Sequence, residues 1–247
     1  MESKFSLPTE TVDLPSKGLL YPKESPLSSG TIEMKYMTAK EEDILTNTNY
    51  ITNGTVMDKL LTSLIVDKSI DLNDILVGDK NALFIAARIL SYGKDYKIAY
   101  GGQTIDVDLS KLNNKEVDYS LFEDRLNEFE FKLPSTDNIV TIKCLTSRDD
   151  KNISAEIKGN KKISKDSNTA NTSRLKNLIT SVNGNRDTKD IRDFVDTYLL
   201  AKDARAIRKY YEVINPDIDM SYEFTNKAGR KEVVSVPVGV DFFWPDA

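Results

Sequence analysis

Four prolines in the first 26 residues decide how this chain can begin. Pro8, Pro15, Pro22 and Pro26 each fix their own φ and lack an N–H donor, and each biases the residue before it toward extended backbone. A helix cannot run through residues 1–30, which are therefore expected as an extended arm. Leu14, Leu19, Leu20 and Tyr21 give this arm apolar groups to dock with. Behind it, Ile32, Met34 and Tyr36 alternate with Glu33 and Lys35, the period of two of a half-buried strand.

Helical signals follow. Thr38 to Glu41 has capping-box spacing, in which the hydroxyl accepts from a helix amide and the glutamate reaches back to the cap. Glu41, Glu42 and Asp43 then sit at the positive end of the helix dipole, so capping explains these acids without a metal. Val56, Met57, Leu60, Leu61, Leu64 and Ile65 share one helical face. Leu83, Phe84, Ala86, Ala87 and Leu90 do the same in a helix predicted from near Asp79 to Gly93. Residues 31–93 are expected as one strand plus helices.

From Tyr96 the spacing becomes alternating. Tyr96–Tyr100, a Gly101-Gly102 turn and Thr104–Leu109 predict a hairpin. Phe129 and Phe131, then Val140, Ile142 and Cys144, alternate with polar residues and extend an antiparallel β insert over 94–148. Asp149-Asp150 opens a weakly amphipathic helix, and Asp166–Ser173 reads as a loop. Leu175, Leu178, Ile179 and Val182 predict a helix that stops before Gly184. Asp187 caps another, with Ile191, Phe194, Val195, Tyr198 and Leu199 on its face; a last helix runs from Asp203 to Ile214 and ends at Asn215-Pro216. Residues 149–215 thus complete the helical body. In 216–247, Tyr222 and Phe224, a turn through Asn226–Gly229, and Val233, Val234 and Val236 predict a hairpin, followed by a strand running into Phe242, Phe243, Trp244 and Pro245. The expected class is α+β: a helical body with an antiparallel β insert and a C-terminal β hairpin.

The inventory of side chains excludes much chemistry. There is no histidine and one cysteine, Cys144, so neither a Ser-His-Asp nor a Cys-His nucleophile can be assembled, nor a Cys/His zinc site or an intrachain disulfide. Asp106 and Asp108 lie on one side of a strand, where a pair of carboxylates can hold Mg²⁺ or serve a hydrolase; a solvated strand face is the simpler reading. No phosphate-binding glycine pattern follows Gly101-Gly102. No catalytic residue, cofactor or metal site is expected. The longest apolar stretch, Leu83–Leu90, is broken by Arg88 and too short to cross a bilayer, and MESKFSLPTE has no apolar leader core. Lys151–Lys176 holds seven bases and two acids, net +5; with −5 for the whole chain, the remainder is −10. That acidic remainder disfavours nucleic acid and anionic membranes, and the basic stretch has no aromatic residue for base stacking. It suits an acidic partner protein instead.

Two segments carry a family resemblance. Leu14, Pro15, Ser16, Gly18, Tyr21 and Pro22, then Met37, Thr38, Ala39, Glu41 and Glu42, and finally Phe242, Phe243, Trp244 and Pro245 resemble the baseplate hub assembly and hub subunit family of T4-like contractile-tail phages. The resemblance implies a non-enzymatic role in baseplate hub assembly through contacts with other hub or tail proteins, either as an assembly chaperone in the host cytoplasm or as a permanent subunit of the virion baseplate. Self-association is a further expectation. Some members carry Cys-x-x-Cys knuckles; here Tyr100–Gln103 and Asn226–Gly229 stand in those hairpins without thiolates, so no metal is carried over. The expected contact residues are Leu19, Leu20, Tyr21, Pro22, Glu41, Glu42, Phe242, Phe243 and Trp244. The three rings at the tail either fold back, leaving Trp244 half exposed, or anchor in a partner. Folding back is the expectation.

Overall fold

The computed structural model describes residues 7–122, 126–163 and 169–244, so Lys165, Asp166 and Pro245 lie outside the described residues. The arm begins with a strand that the proline pattern did not announce, β1 (Thr9–Asp13), which pairs antiparallel with β2 (Thr31–Lys35). Between them the chain makes a compact loop. The expectation that the arm is free of helix needs one correction: Pro26–Ser29 forms a 3₁₀ turn. Pro26 stands at its first position, where a missing N–H costs nothing. Gly18 and Gly30 have φ of +73° and +75°, and a Cβ on Gly18 would come within 2.5 Å of the Ser28 carbonyl oxygen, so the two glycines let the two limbs of the loop touch.

The helices α1 (Ala39–Thr46), α2 (Thr48–Thr52), α3 (Val56–Leu64) and α4 (Val77–Tyr92) follow. Val56, Leu60, Leu61 and Leu64 of α3 are buried, as the spacing predicts. Then come β3 (Asp95–Tyr100) and β4 (Gln103–Asp108), a hairpin turned by Gly101 and Gly102 at φ of +55° and +74°. β5 (Phe129–Lys132) and β6 (Ile139–Ile142) are antiparallel, and Cys144 lies beyond the end of β6 rather than within it.

α5 (Ser147–Ile163) packs against α6 (Ala170–Leu178). The helix expected to continue to Gly184 stops at Leu178. Ile179–Val182 is instead a strand, β7, which joins β6 as the third strand of that sheet. The β-branched Ile179 and Val182 fit a pleated edge beside Val140 and Ile142 better than a helix turn. Asp187 caps α7 (Thr188–Asp193) by accepting from the Lys189 and Asp190 amides. The chain then widens into a π turn, Phe194–Tyr198, that leaves Tyr198 62% exposed. α8 (Ala201–Ile214) buries Ile207, Tyr211 and Ile214. β8 (Ser221–Thr225) and β9 (Lys231–Ser235) form the C-terminal hairpin. The segment expected as a strand into the aromatic tail is a 3₁₀ turn, Asp241–Phe243.

The class is α+β: a helical body, small antiparallel sheets and a C-terminal β hairpin. One hydrophobic core links the arm (Leu14, Leu20, Tyr21, Leu27), α3, α4, the sheets, α8 and the tail (Phe242, Phe243).

Candidate functional site

Ser16 and Tyr21 from the arm and Phe242 and Phe243 from the tail meet α4 at its two ends. At its N-terminus stands Asp79, with no exposure to solvent. Its Oδ1 accepts from the Ser16 amide (2.9 Å), and its Oδ2 accepts from the Ser16 Oγ and the Tyr21 hydroxyl (2.6 Å each). The Tyr21 oxygen accepts in turn from the Leu76 amide (2.9 Å). The arm is thus fastened to the first turn of α4, where the helix dipole favours a carboxylate. Burial pushes the Asp79 carboxyl above its usual range, against the pull of the Ser16 and Tyr21 donors. Burial, with the Asp79 charge beside it, also raises the Tyr21 phenol.

The same crossing holds Cys144 and the strand-like segment after it. The Leu145 carbonyl accepts from the Val77 amide (2.9 Å), and the Ile75 carbonyl accepts from the Ser147 amide (2.8 Å). The Cys144 thiol donates to the Ile214 carbonyl (3.3 Å), and burial pushes its pKa up, so it is an inert core group. Gly78 is pressed so closely on Pro216 that a Cβ would lie 1.9 Å from its carbonyl oxygen.

The other end of α4 is closed by Arg88, 1% exposed. Its guanidinium donates to the carbonyls of Phe242 (3.0 Å), Gly93 (3.0 Å) and Asp95 (3.2 Å). The rings of Phe242 and Tyr96 meet edge to face at 4.9 Å, and Phe243 meets Phe84 at 6.4 Å. The tail therefore folds back into the core, leaving Trp244 partly buried beside it. Neither Asp79 nor Arg88 stood out as functional in the sequence. The available signal was a charge inside an apolar helical run, which Arg88 gives between Ala87 and Ile89.

Glu41, at the start of α1, is fully buried and collects donors from three elements. Its Oε2 accepts from the Thr38 amide (2.9 Å) and hydroxyl (2.7 Å), and its Oε1 from Lys35 Nζ (2.7 Å) and the Ser63 hydroxyl (2.6 Å). Burial alone would raise its pKa, but the Lys35, Ser63 and Thr38 bonds outweigh it and hold the carboxyl at about 2. Glu42 is half-buried and accepts from the Tyr92 hydroxyl (3.0 Å).

Of the residues expected to meet a partner, the structure buries Leu20, Tyr21, Glu41, Phe242 and Phe243, half-buries Leu19, Glu42 and Trp244, and exposes Pro22. Asp106 and Asp108 lie on the outer face of β4. Asp108 is held at about 2, first by Lys94 (2.7 Å) and then by Ser110, and it caps the turn that follows. No cluster of three or more metal-ligating side chains occurs among the described residues. A cavity of about 660 Å³ between α6 and α8 carries Arg174 and Arg208 but also Glu116 and Glu212, so it favours neither sign of charge. In the basic stretch, Lys151 is paired with Asp58 (2.7 Å) and Lys176 with Asp196 (2.7 Å), which spends those charges inside the fold. No helix among the described residues is long and apolar enough to cross a membrane.

These features define an α+β protein whose signature ends are structural closures at either end of one central helix. Over residues 10–244 the chain matches the family described as T4 bacteriophage base plate protein, and it belongs to that family. Comparison with the curated proteins and with the solved structures finds no match.

Proposed function

We propose that this protein acts without catalysis, as an assembly factor that binds other hub or tail proteins while the base plate hub is built in the host cytoplasm. The observation that carries the reading is membership of the base plate family over nearly the whole chain. Two features of the molecule support it. Of the two carboxylates singled out as catalytic candidates, one is spent on structure: Asp108 is bonded to Lys94 and caps a turn. The signature segments also present a residual surface. Leu19 and Pro22 on the arm, Glu42 at the start of α1 and Trp244 at the tail keep exposed area, while Leu20, Tyr21, Glu41, Phe242 and Phe243 hold them rigidly from beneath. A rigid support lowers the ordering cost of binding.

The test is a pull-down from infected cells with the intact chain and with a Pro22→Ala/Trp244→Ala variant. Removing the whole FFWPDA end would confound binding with unfolding, since it takes two core rings and an acceptor of Arg88. The intact chain should recover hub or tail proteins and the double variant at least tenfold less. Equal recovery by both refutes these contact residues. Mass spectrometry of purified virions separates the two roles, because recovery in stoichiometric amount would make the protein a permanent subunit.

A further inference from the structure

The C-terminal hairpin leaves a strand edge bare, and its sequence fits a second copy of itself. The ladder between β8 and β9 is fixed at both ends: the Asn226 amide donates to the Arg230 carbonyl (2.9 Å) and the Val236 amide to the Met220 carbonyl (2.8 Å). Even-numbered residues of β9 therefore bond to β8, and the backbone N–H and C=O groups of Lys231, Val233 and Ser235 point away from it. Among the described residues nothing bonds to them. At the centre of this edge stands Val233, 60% exposed, a β-branched apolar side chain on an open strand. Folded proteins ordinarily guard such edges with charge, proline or cover.

Self-pairing of this edge has few workable registers. Antiparallel pairing about a two-fold axis must match outward groups with outward groups. An axis at Lys231 sets Lys231 opposite Lys231, and one at residue 232 sets Glu232 opposite Glu232. An axis at residue 234 or 235 brings in Pro237, which has no N–H to give. The axis at Val233 avoids both faults: Val233 meets Val233, Lys231 meets Ser235, and Glu232 meets Val234. All three outward residues of each strand then have a donor and an acceptor opposite. We propose that two copies of this chain associate through β9, antiparallel and centred on Val233, to form a continuous four-stranded sheet. The association is independent of the hub reading and is tested on the purified protein alone.

Analytical ultracentrifugation of the full chain at concentrations up to 500 µM reads it directly. The native protein should show a concentration-dependent dimer. Val233→Lys and Val233→Glu should each be monomeric, because each sets like charges face to face at the axis, while their exposed position spares the fold. An equimolar mixture of the two should dimerise again through the lysine–glutamate pair. Circular dichroism confirms that both variants are folded. A native chain that stays monomeric at 500 µM, a lysine variant that still dimerises, or a mixture that stays monomeric would each overturn the proposal. In the first case any partner of this edge is a different protein, and in the last two the contact between copies lies elsewhere.

Discussion

Two buried carboxylates, Glu41 and Asp79, answer burial in opposite ways. Glu41 has a cation, Lys35, at 2.7 Å, and its carboxyl is held at about 2. Asp79 has only neutral donors, and burial wins. The pH consequences have opposite signs. The stability that Glu41 contributes is fully present above its ordinary pKa of 4.5 and is lost as pH falls toward about 2. Asp79 favours the fold while protonated, and its contribution is lost as pH rises through its raised value. Asp58, Asp108, Glu128 and Glu156 share the lowered direction, so acid destabilises the molecule on balance. Urea midpoints measured from pH 7 to pH 2.5 should fall steeply below pH 4.5, and Glu41→Gln should flatten that fall while costing about 2 kcal/mol at pH 7. Tyr21→Phe should cost about 2 kcal/mol in the same assay, since it strips Asp79 of one donor and leaves the buried Leu76 amide without an acceptor.

Elements distant along the chain are joined by side chains that reach backbone carbonyls as well as by strand ladders. Arg88 is the clearest case, since its fork ties α4, the start of β3 and the tail turn together by three carbonyls. An ammonium cannot reproduce that planar fork. Arg88→Lys should therefore lose about 2–4 kcal/mol in urea unfolding and shift Trp244 fluorescence to the red as the tail loosens. An unchanged midpoint would show that aromatic packing alone holds the tail. β7 makes the same point for the sheet: a strand arriving after α5 and α6 completes β5 and β6, so residues distant in sequence share one sheet.

On the scale of the whole molecule, one core runs from the N-terminal arm to the C-terminal rings, so the two ends should not come away from the body separately. Cys144 reports on that core from its centre, with no solvent exposure and a thiol pushed up by burial. In native buffer, its reaction with a thiol reagent should proceed only at the rate of global unfolding and should speed up in parallel with urea denaturation. Rapid labelling in water would mean that the arm or the tail opens by itself. For the contact role proposed above, such cohesion would keep the arm and tail surfaces in fixed relation.

Local sequence determined whatever depends on neighbours along the chain. The spacing of Val56, Leu60, Leu61 and Leu64 marked α3, Gly101-Gly102 marked a hairpin, Asp187 marked a cap, and Thr38 with Glu41 marked the entry to α1. The missing histidines and the single cysteine removed whole classes of chemistry before any fold was known. Tertiary structure decided what depends on partners far away. β1 was hidden because its exposed residues show no alternation, and its pairing with β2 crosses a loop. Ile179–Val182 carried a helical spacing but met the edge of β6 first. Ser16, Tyr21 and the tail carbonyl of Phe242 became closures only when Asp79 and Arg88 were placed beside them. The reason is physical: a helix period or a turn is fixed by contacts a few residues apart, whereas the value of a buried charge is fixed by which donors and acceptors the rest of the chain brings to it.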